Sequence, residues 1–385
     1  MKDLEHGGNV RQLAQVAGIP EQKILDFSAN INPLGPPEWL PALISSQVRA
    51  LQHYPDPHCT ALGESVAQRY GVSRDEVIAG NGSTEILYLL ARAAKRSHAL
   101  IPVPSYGDYA KAAVQAEMQI QTIPADQELL RDSLTADTLV LLGRPNNPTG
   151  TVCRADRLRT LAAAHPDTLF MVDEAFGNFV ENFDSLTRLR PANVIVLLSL
   201  TKIFAIPGLR TGCAIGDRGL IQRLLELQPP WSVNTLAQAV SAAALRDREY
   251  VRRTRAYVTR ERQKLFTQLS SLPELTVYPG EANFLLVRLE GGMDAPALAE
   301  RMLAHGIAIR VCTSFHGLDE RHFRVAVRTS EENARLMTAL RNVLDTRCAP
   351  RTKRAPAEIE FSGAGSDAGN LVLTGSLSAA QEDDV

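Results

Sequence analysis

The chain has 385 residues, 45% of them hydrophobic and 22% charged, enough to bury a large core and to divide it between two domains. Its 43 acidic and 41 basic side chains nearly cancel, which excludes a field that would draw in nucleic acid or a membrane surface, and no apolar run approaches the ~18 residues of a spanning helix. Five cysteines without a CxxC pair, and charges where a signal peptide needs an apolar segment, suit free thiols and a cytoplasmic protein.

Residues 1–35 hold HGGN, a short helical pattern at 10–17 and LDFSANINPLG. Asn-Pro and Gly-Pro-Pro so near the start predict an N-terminal arm laid over the body, not a strand of the main sheet. Helical patterns follow at 38–50 and 59–70. From Glu76 an alternation begins: VIAG is a strand, NGSTE a turn with a helix start, and ILYLLARAAK an amphipathic helix. Further strands are expected at 99–103, 118–123, 138–143, 168–172 and 194–198, with 213–215 returning. This predicts the α/β class, with a mixed, mainly parallel sheet covered on both faces in a large domain over 36–255. A long helical stretch from Thr235 to about Leu269 carries arginines on a solvated face. Strand, turn and strand in LTVYPGEANFLLVRL, a helix at 295–305, IAIRVC, HFRVAVRT and a last helix at 331–344 predict a smaller α+β C-terminal domain over 256–347. The tail, 348–385, rich in Gly, Ser, Ala and acidic residues, is expected to be disordered.

Four motifs carry chemistry. GNGSTE, between a strand and a helix, could bind a phosphate through backbone N–H groups and the hydroxyls of Ser83 and Thr84, although such turns are common. It lacks the GKS of a P-loop and the spacing of GxGxxG, which weakens nucleotide readings. PNNPTG follows a strand, where two amides are either turn chemistry or orienting groups. VDEAF puts Asp173 at a strand end, as a helix cap or as the partner of a buried cation. VIVLLSLTKIFAIPGLR ends a strand at Ser199, with Lys202 three residues on and Arg210 eight beyond that. A lone lysine after a strand is ordinarily a surface residue. The ordered set of phosphate loop, amide, carboxylate, lysine and arginine is what pyridoxal 5'-phosphate needs: a Schiff-base lysine, a carboxylate that keeps the pyridine nitrogen protonated, and a phosphate anchor.

From about Gly7 to Leu344 the chain resembles the fold-type I, aspartate-aminotransferase-like pyridoxal-phosphate enzymes, through GNGSTE, PNNPTG, DEAF and SLTKIFAIPGLRTG. Within them it is similar to the threonine-phosphate decarboxylases of cobalamin biosynthesis, whose near relatives are histidinol-phosphate aminotransferases; HGGN, DFSANINPLG, PPWSVN, YPGEANFLLVR and FRVAVRTSEEN carry that likeness. The resemblance implies that Lys202 is the Schiff-base lysine and Asp173 the pyridine-nitrogen partner, that Asn147 bonds the ring hydroxyl and that Tyr106 stacks on the ring. It gives the cofactor phosphate to Gly82, Ser83, Ser199 and Arg210, with Tyr54 arriving from the neighbouring subunit of a homodimer. It gives the substrate carboxylate to Arg324, and makes His6, Gly8, Asn30 and Arg310 candidates for the phosphate of a phosphorylated amino acid. Phe176 departs from the pattern, since transaminases of this kind often have a tyrosine three residues after the aspartate. The activity implied is decarboxylation of L-threonine O-3-phosphate, with a phosphate-substrate transaminase as the alternative. Lys202 argues against a non-catalytic binding module.

Overall fold

Seven strands form the sheet that carries the site, in a computed structural model that describes residues 7–125 and 133–345. His6 and the tail from 348 lie outside the described residues. The arm supplies the helix Val10–Ala17 and strand β1 (Leu25–Asp26). The main sheet comprises β2 (Val77–Gly80), β3 (His98–Val103), β4 (Gln119–Pro124), β5 (Thr138–Gly143), β6 (Leu169–Asp173), β7 (Val194–Ser199) and β8 (Gly212–Ile215), in the order β2-β8-β7-β6-β5-β3-β4. β8 is antiparallel to both its neighbours and the other pairs are parallel.

The central strands are nearly continuous apolar runs because both faces are covered. Period-two alternation sends Val140, Leu142, Phe170, Val172, Val194 and Val196 into one core. It sends Leu139, Leu141, Met171, Ile195 and Leu197 into a second, against Ile86, Leu87 and Leu90 of the helix Ser83–Ala94.

β9 (Leu275–Val277), β10 (Phe284–Leu289), β11 (Ile307–Ala308), β12 (Arg310–Val311) and β13 (His322–Ala326) follow. Four of these form an antiparallel sheet in the order β12-β13-β10-β9, while β11 pairs in parallel with β1. The arm is therefore tied to the C-terminal part of the chain and stays out of the main sheet. The helical stretch expected to run unbroken from Thr235 is instead two helices, Thr235–Arg246 and Arg248–Ser270. Asp247 makes the break: its Oδ1 accepts from the amide of Tyr250 at 2.9 Å, capping the second helix, and its Oδ2 accepts from Trp39 Nε1 at 2.8 Å. The expected domain boundary at 255 falls inside that second helix. Among the described residues no helix is long and apolar enough to cross a membrane.

Candidate active site

The parallel strands end on one edge of the sheet, where α/β folds build their sites. β5 ends just before Asn147, β6 at Asp173, and β7 at Ser199, after which the short helix Leu200–Ile203 carries Lys202. A cavity of about 600 Å³ opens there. Lys202, Asn147, Tyr106, Thr84, Arg210 and Phe176 line it from the main sheet, Arg310 and Arg324 from the small one, and Gly7 and Asn30 from the arm.

Lys202 Nζ lies 3.4 Å from Thr201 Oγ1. Burial and then the Arg210 guanidinium pull its pKa down to about 8, against the opposing pull of Asp173. At pH 8 roughly half of such amines are neutral, against roughly four in a thousand for an ordinary lysine. The rate at which pyridoxal phosphate loads onto the cofactor-free protein is accordingly expected to rise with pH to a midpoint near 8. In Arg210→Gln, which removes a cation that favours the neutral amine, the midpoint moves up. Stopped-flow absorbance across pH reads both, and a wild-type midpoint near 10 would contradict the lowered pKa.

Asp173 accepts from the amide of Ala175 at 2.9 Å and from the Tyr109 hydroxyl at 3.0 Å. Burial pushes its pKa up, while these two bonds and Lys202 pull it back. Tyr109 is a site residue that the sequence reading missed. Tyr106 lies in the turn just before the helix Asp108–Gln115, and the Tyr109 amide donates back to its carbonyl at 3.2 Å, which brings the two side chains together. The two rings meet edge to face with centroids 5.6 Å apart. The Tyr106 hydroxyl donates to Asp108 Oδ2 at 2.6 Å, and burial with that carboxylate raises the phenol pKa, so the ring presented to the cavity is uncharged.

The end of the helix Ser83–Ala94 gathers groups suited to an anion. Gly82, at φ +84°, caps the helix Ser83–Ala94, whose first amides have no partner within the helix. A Cβ on Gly82 would stand 2.7 Å from Arg210 Nη2, so glycine lets the guanidinium reach the helix end. Ser199 pairs with Gly212, and a side chain on Gly212 would run into the Ser83 amide. The hydroxyls of Ser199 and Thr201, 2.9 Å apart, complete a set of amides, hydroxyls and a guanidinium suited to an anion. Thr201, adjacent to Lys202, was not singled out from sequence. The residues present fit the cofactor phosphate.

At the opposite wall Arg324 donates to the carbonyl of Ser28 at 2.9 Å and to Asn147 Oδ1, and lies over the Phe284 ring. Burial lowers its pKa to about 10. Arg310 faces it across the β12–β13 ladder. Asn30 Oδ1 and Arg324 Nε are buried without hydrogen-bond partners among the described residues; of the two, the Arg324 Nε–H is a donor and suits an anion. Phe176 packs edge-on against Phe284 at 5.0 Å.

Of the expected residues, Gly82, Ser83, Asp173, Ser199, Gly8 and Tyr54 are not among those that line the cavity. The Gly8 amide turns to Ser28 Oγ at 2.9 Å, so it is Gly7 that lines the cavity. Tyr54 is 80% exposed and stacks on Trp231 at 4.7 Å.

The chain is 36% identical to the threonine-phosphate decarboxylase of Salmonella typhimurium, over 88% of this chain and 96% of that one. It is 33% identical to the adenosylcobalamin biosynthesis bifunctional protein CobDQ of Leptospira interrogans over 97% of its own length, and spans 45% of that longer protein. The crystal structure of the histidinol-phosphate aminotransferase from Clostridium acetobutylicum superposes with a TM-score of 0.79 at 28% identity, covering 84% of this chain and all of that one. The family model for aminotransferase class I and II matches residues 22–340. The chain belongs to that family of pyridoxal-phosphate enzymes.

Proposed function

We propose that the protein decarboxylates L-threonine O-3-phosphate to (R)-1-amino-2-propanol O-2-phosphate and carbon dioxide in cobalamin biosynthesis. The observation that carries this reading is the pair of buried arginines, Arg310 and Arg324, neighbours on adjacent strands in the cavity that holds Lys202. A substrate with a phosphate and a carboxylate has one guanidinium for each. The Salmonella relative, named for this activity and alike over nearly its whole length, supports it.

Bound pyridoxal phosphate supplies an electron sink that lets a bond to the substrate Cα break. This chain's residues decide which bond. Arg324, aimed by Ser28 and Asn147, would take the carboxylate, while Arg310 and Asn30, with His6 of the arm, would take the phosphate; Gly8, whose amide is held by Ser28 Oγ, is left out of that set. Holding both anionic ends fixes rotation about the Cα, and that rotation selects the substituent lost. Lys202 Nζ, with a pKa of about 8, can hand a proton back to the Cα near neutral pH. Gly82, Ser83, Ser199 and Arg210 would anchor the cofactor phosphate, Asp173 the ring nitrogen and Asn147 the ring hydroxyl, with Tyr106 on the ring face. We further propose a cytoplasmic homodimer in which the exposed Tyr54 completes the partner's site, and large and small domains over 36–255 and 256–347, each around its own sheet.

The test uses the loaded enzyme with threonine phosphate and no keto acid. Carbon dioxide release is expected. No release, with turnover only of histidinol phosphate plus 2-oxoglutarate, would assign the chain to the transaminases instead.

A further inference from the structure

The loop Thr313–Leu318, between β12 and β13, is not accounted for by the roles above. It contributes Ser314, Phe315 and His316 to the cavity wall. The loop is well held: Phe315 is buried in a small apolar cluster with Leu286 and Cys312, and its amide donates to the Cys312 carbonyl at 3.0 Å. The Leu318 amide donates back to the Phe315 carbonyl at 3.1 Å. On its far side Gly317 approaches the end of β3, where an added Cβ would lie 3.8 Å from both Val103 Cγ2 and Pro104 N. The loop thus reaches from the small sheet to the main sheet along the cavity.

Its contact with Arg310 is specific. Arg310 Nη2 donates to Ser314 Oγ at 2.7 Å, and the guanidinium lies over the Phe315 ring, 5.5 Å from the centroid. A cation that is 5% exposed is therefore oriented by its own loop through a hydrogen bond and a ring face. Since Ser314 Oγ accepts from Arg310, the hydroxyl keeps its own proton to donate, and donation by a charged group to that oxygen makes it a better donor.

The geometry points to Ser314 as a specificity-determining ligand: its hydroxyl donates to a substrate phosphate oxygen that the Arg310 fork leaves unmet. A guanidinium offers a planar fork that satisfies the two oxygens of a carboxylate. A phosphate monoester has three terminal oxygens in a pyramid, so one plane of donors leaves an oxygen out. A hydroxyl attached to the tip of the fork supplies a direction outside that plane, in addition to what Asn30 of the arm offers. Among the described residues Arg324 meets no such hydroxyl; its side chain donates to the Ser28 carbonyl and to Asn147 Oδ1, both acceptors. The two arginines are thereby made unequal, one built for a carboxylate and the other for a phosphate. This inference rests on the phosphorylated-substrate reading above and adds the group that tells the two anions apart.

The test compares wild type, Ser314→Ala and Ser314→Thr as loaded enzymes, with threonine phosphate as substrate and inorganic phosphate as competitive inhibitor. In Ser314→Ala the KM and the phosphate inhibition constant are expected to rise together about tenfold, as for loss of one hydrogen bond to a charged group, with the loss in KM and not in kcat. Ser314→Thr, which keeps the hydroxyl, recovers most of both. Unchanged constants in Ser314→Ala overturn the proposal, and so does a fall in kcat alone. Failure of the decarboxylase reading looks different, because wild type then releases no carbon dioxide from threonine phosphate. In that event the same three proteins are compared with histidinol phosphate, also a phosphate monoester, and the same two outcomes decide Ser314.

Discussion

Replacing Lys202 with alanine is expected to lower turnover by about four orders of magnitude and to leave the protein with no covalently held cofactor. In the proposed mechanism the amine acts twice, as the attachment point and as the proton donor to the substrate Cα. Burial and Arg210 lower its pKa to about 8, so both the neutral and the charged forms are present near neutral pH. Lys111 also lines the cavity but is a poor substitute. It is 44% exposed and 3.9 Å from an Asp108 carboxylate oxygen, so it lacks the burial that Lys202 has. Borohydride reduction followed by peptide mass spectrometry provides the check. Wild type should carry the cofactor mass on the peptide containing Lys202, and Lys202→Ala should carry none. A label that persists in the variant, on Lys111 or elsewhere, would remove Lys202 from the mechanism.

Much of this site is readable in the chain because its parts sit at strand ends, and strands announce themselves. The runs ending at Gly143, Asp173 and Ser199 are apolar and bounded by turn residues, so the positions of Asn147, Asp173 and Lys202 on one sheet edge follow from the α/β rhythm. The helix break at Asp247 is masked in the sequence because the helical periodicity continues through it; the local cap on the Tyr250 amide is joined by Trp39, 208 residues away, on the other carboxylate oxygen. The same limit hid Tyr109, Thr201 and Ser314. Each is an ordinary residue type whose role comes from what it meets: Asp173 lies 64 residues from Tyr109, and Arg310 turns back onto Ser314 only because the loop folds on Phe315. Arg324 and Asn147, 177 residues apart, touch through the folding of the small sheet onto the main one. Sequence pattern identifies the elements; which side chains converge is decided by tertiary packing.

Asp173→Asn is expected to cost about a thousandfold in kcat/KM while leaving the cofactor-free protein as stable as wild type or more so. The two effects have one cause. Burial holds the Asp173 pKa above its ordinary value, so the native state binds the proton more tightly than the unfolded chain does. Stability from this group therefore falls as pH rises from the unfolded value through the folded one, and at neutral pH the ionised carboxylate is a cost to the fold. Asparagine keeps the shape and an oxygen for the Ala175 amide without that cost. It cannot, however, supply the negative charge that would hold a proton on the ring nitrogen, and the electron sink weakens with it. Tyr109→Phe gives the graded case. Loss of its 3.0 Å bond lets the Asp173 pKa rise further, and a fall of about tenfold in kcat/KM is expected, between wild type and Asp173→Asn. Steady-state kinetics and thermal denaturation of the cofactor-free proteins check the pair. Activity within tenfold of wild type in Asp173→Asn would sink the assignment. A loss of activity matched by a loss of stability would mean that the carboxylate serves the fold and not the reaction.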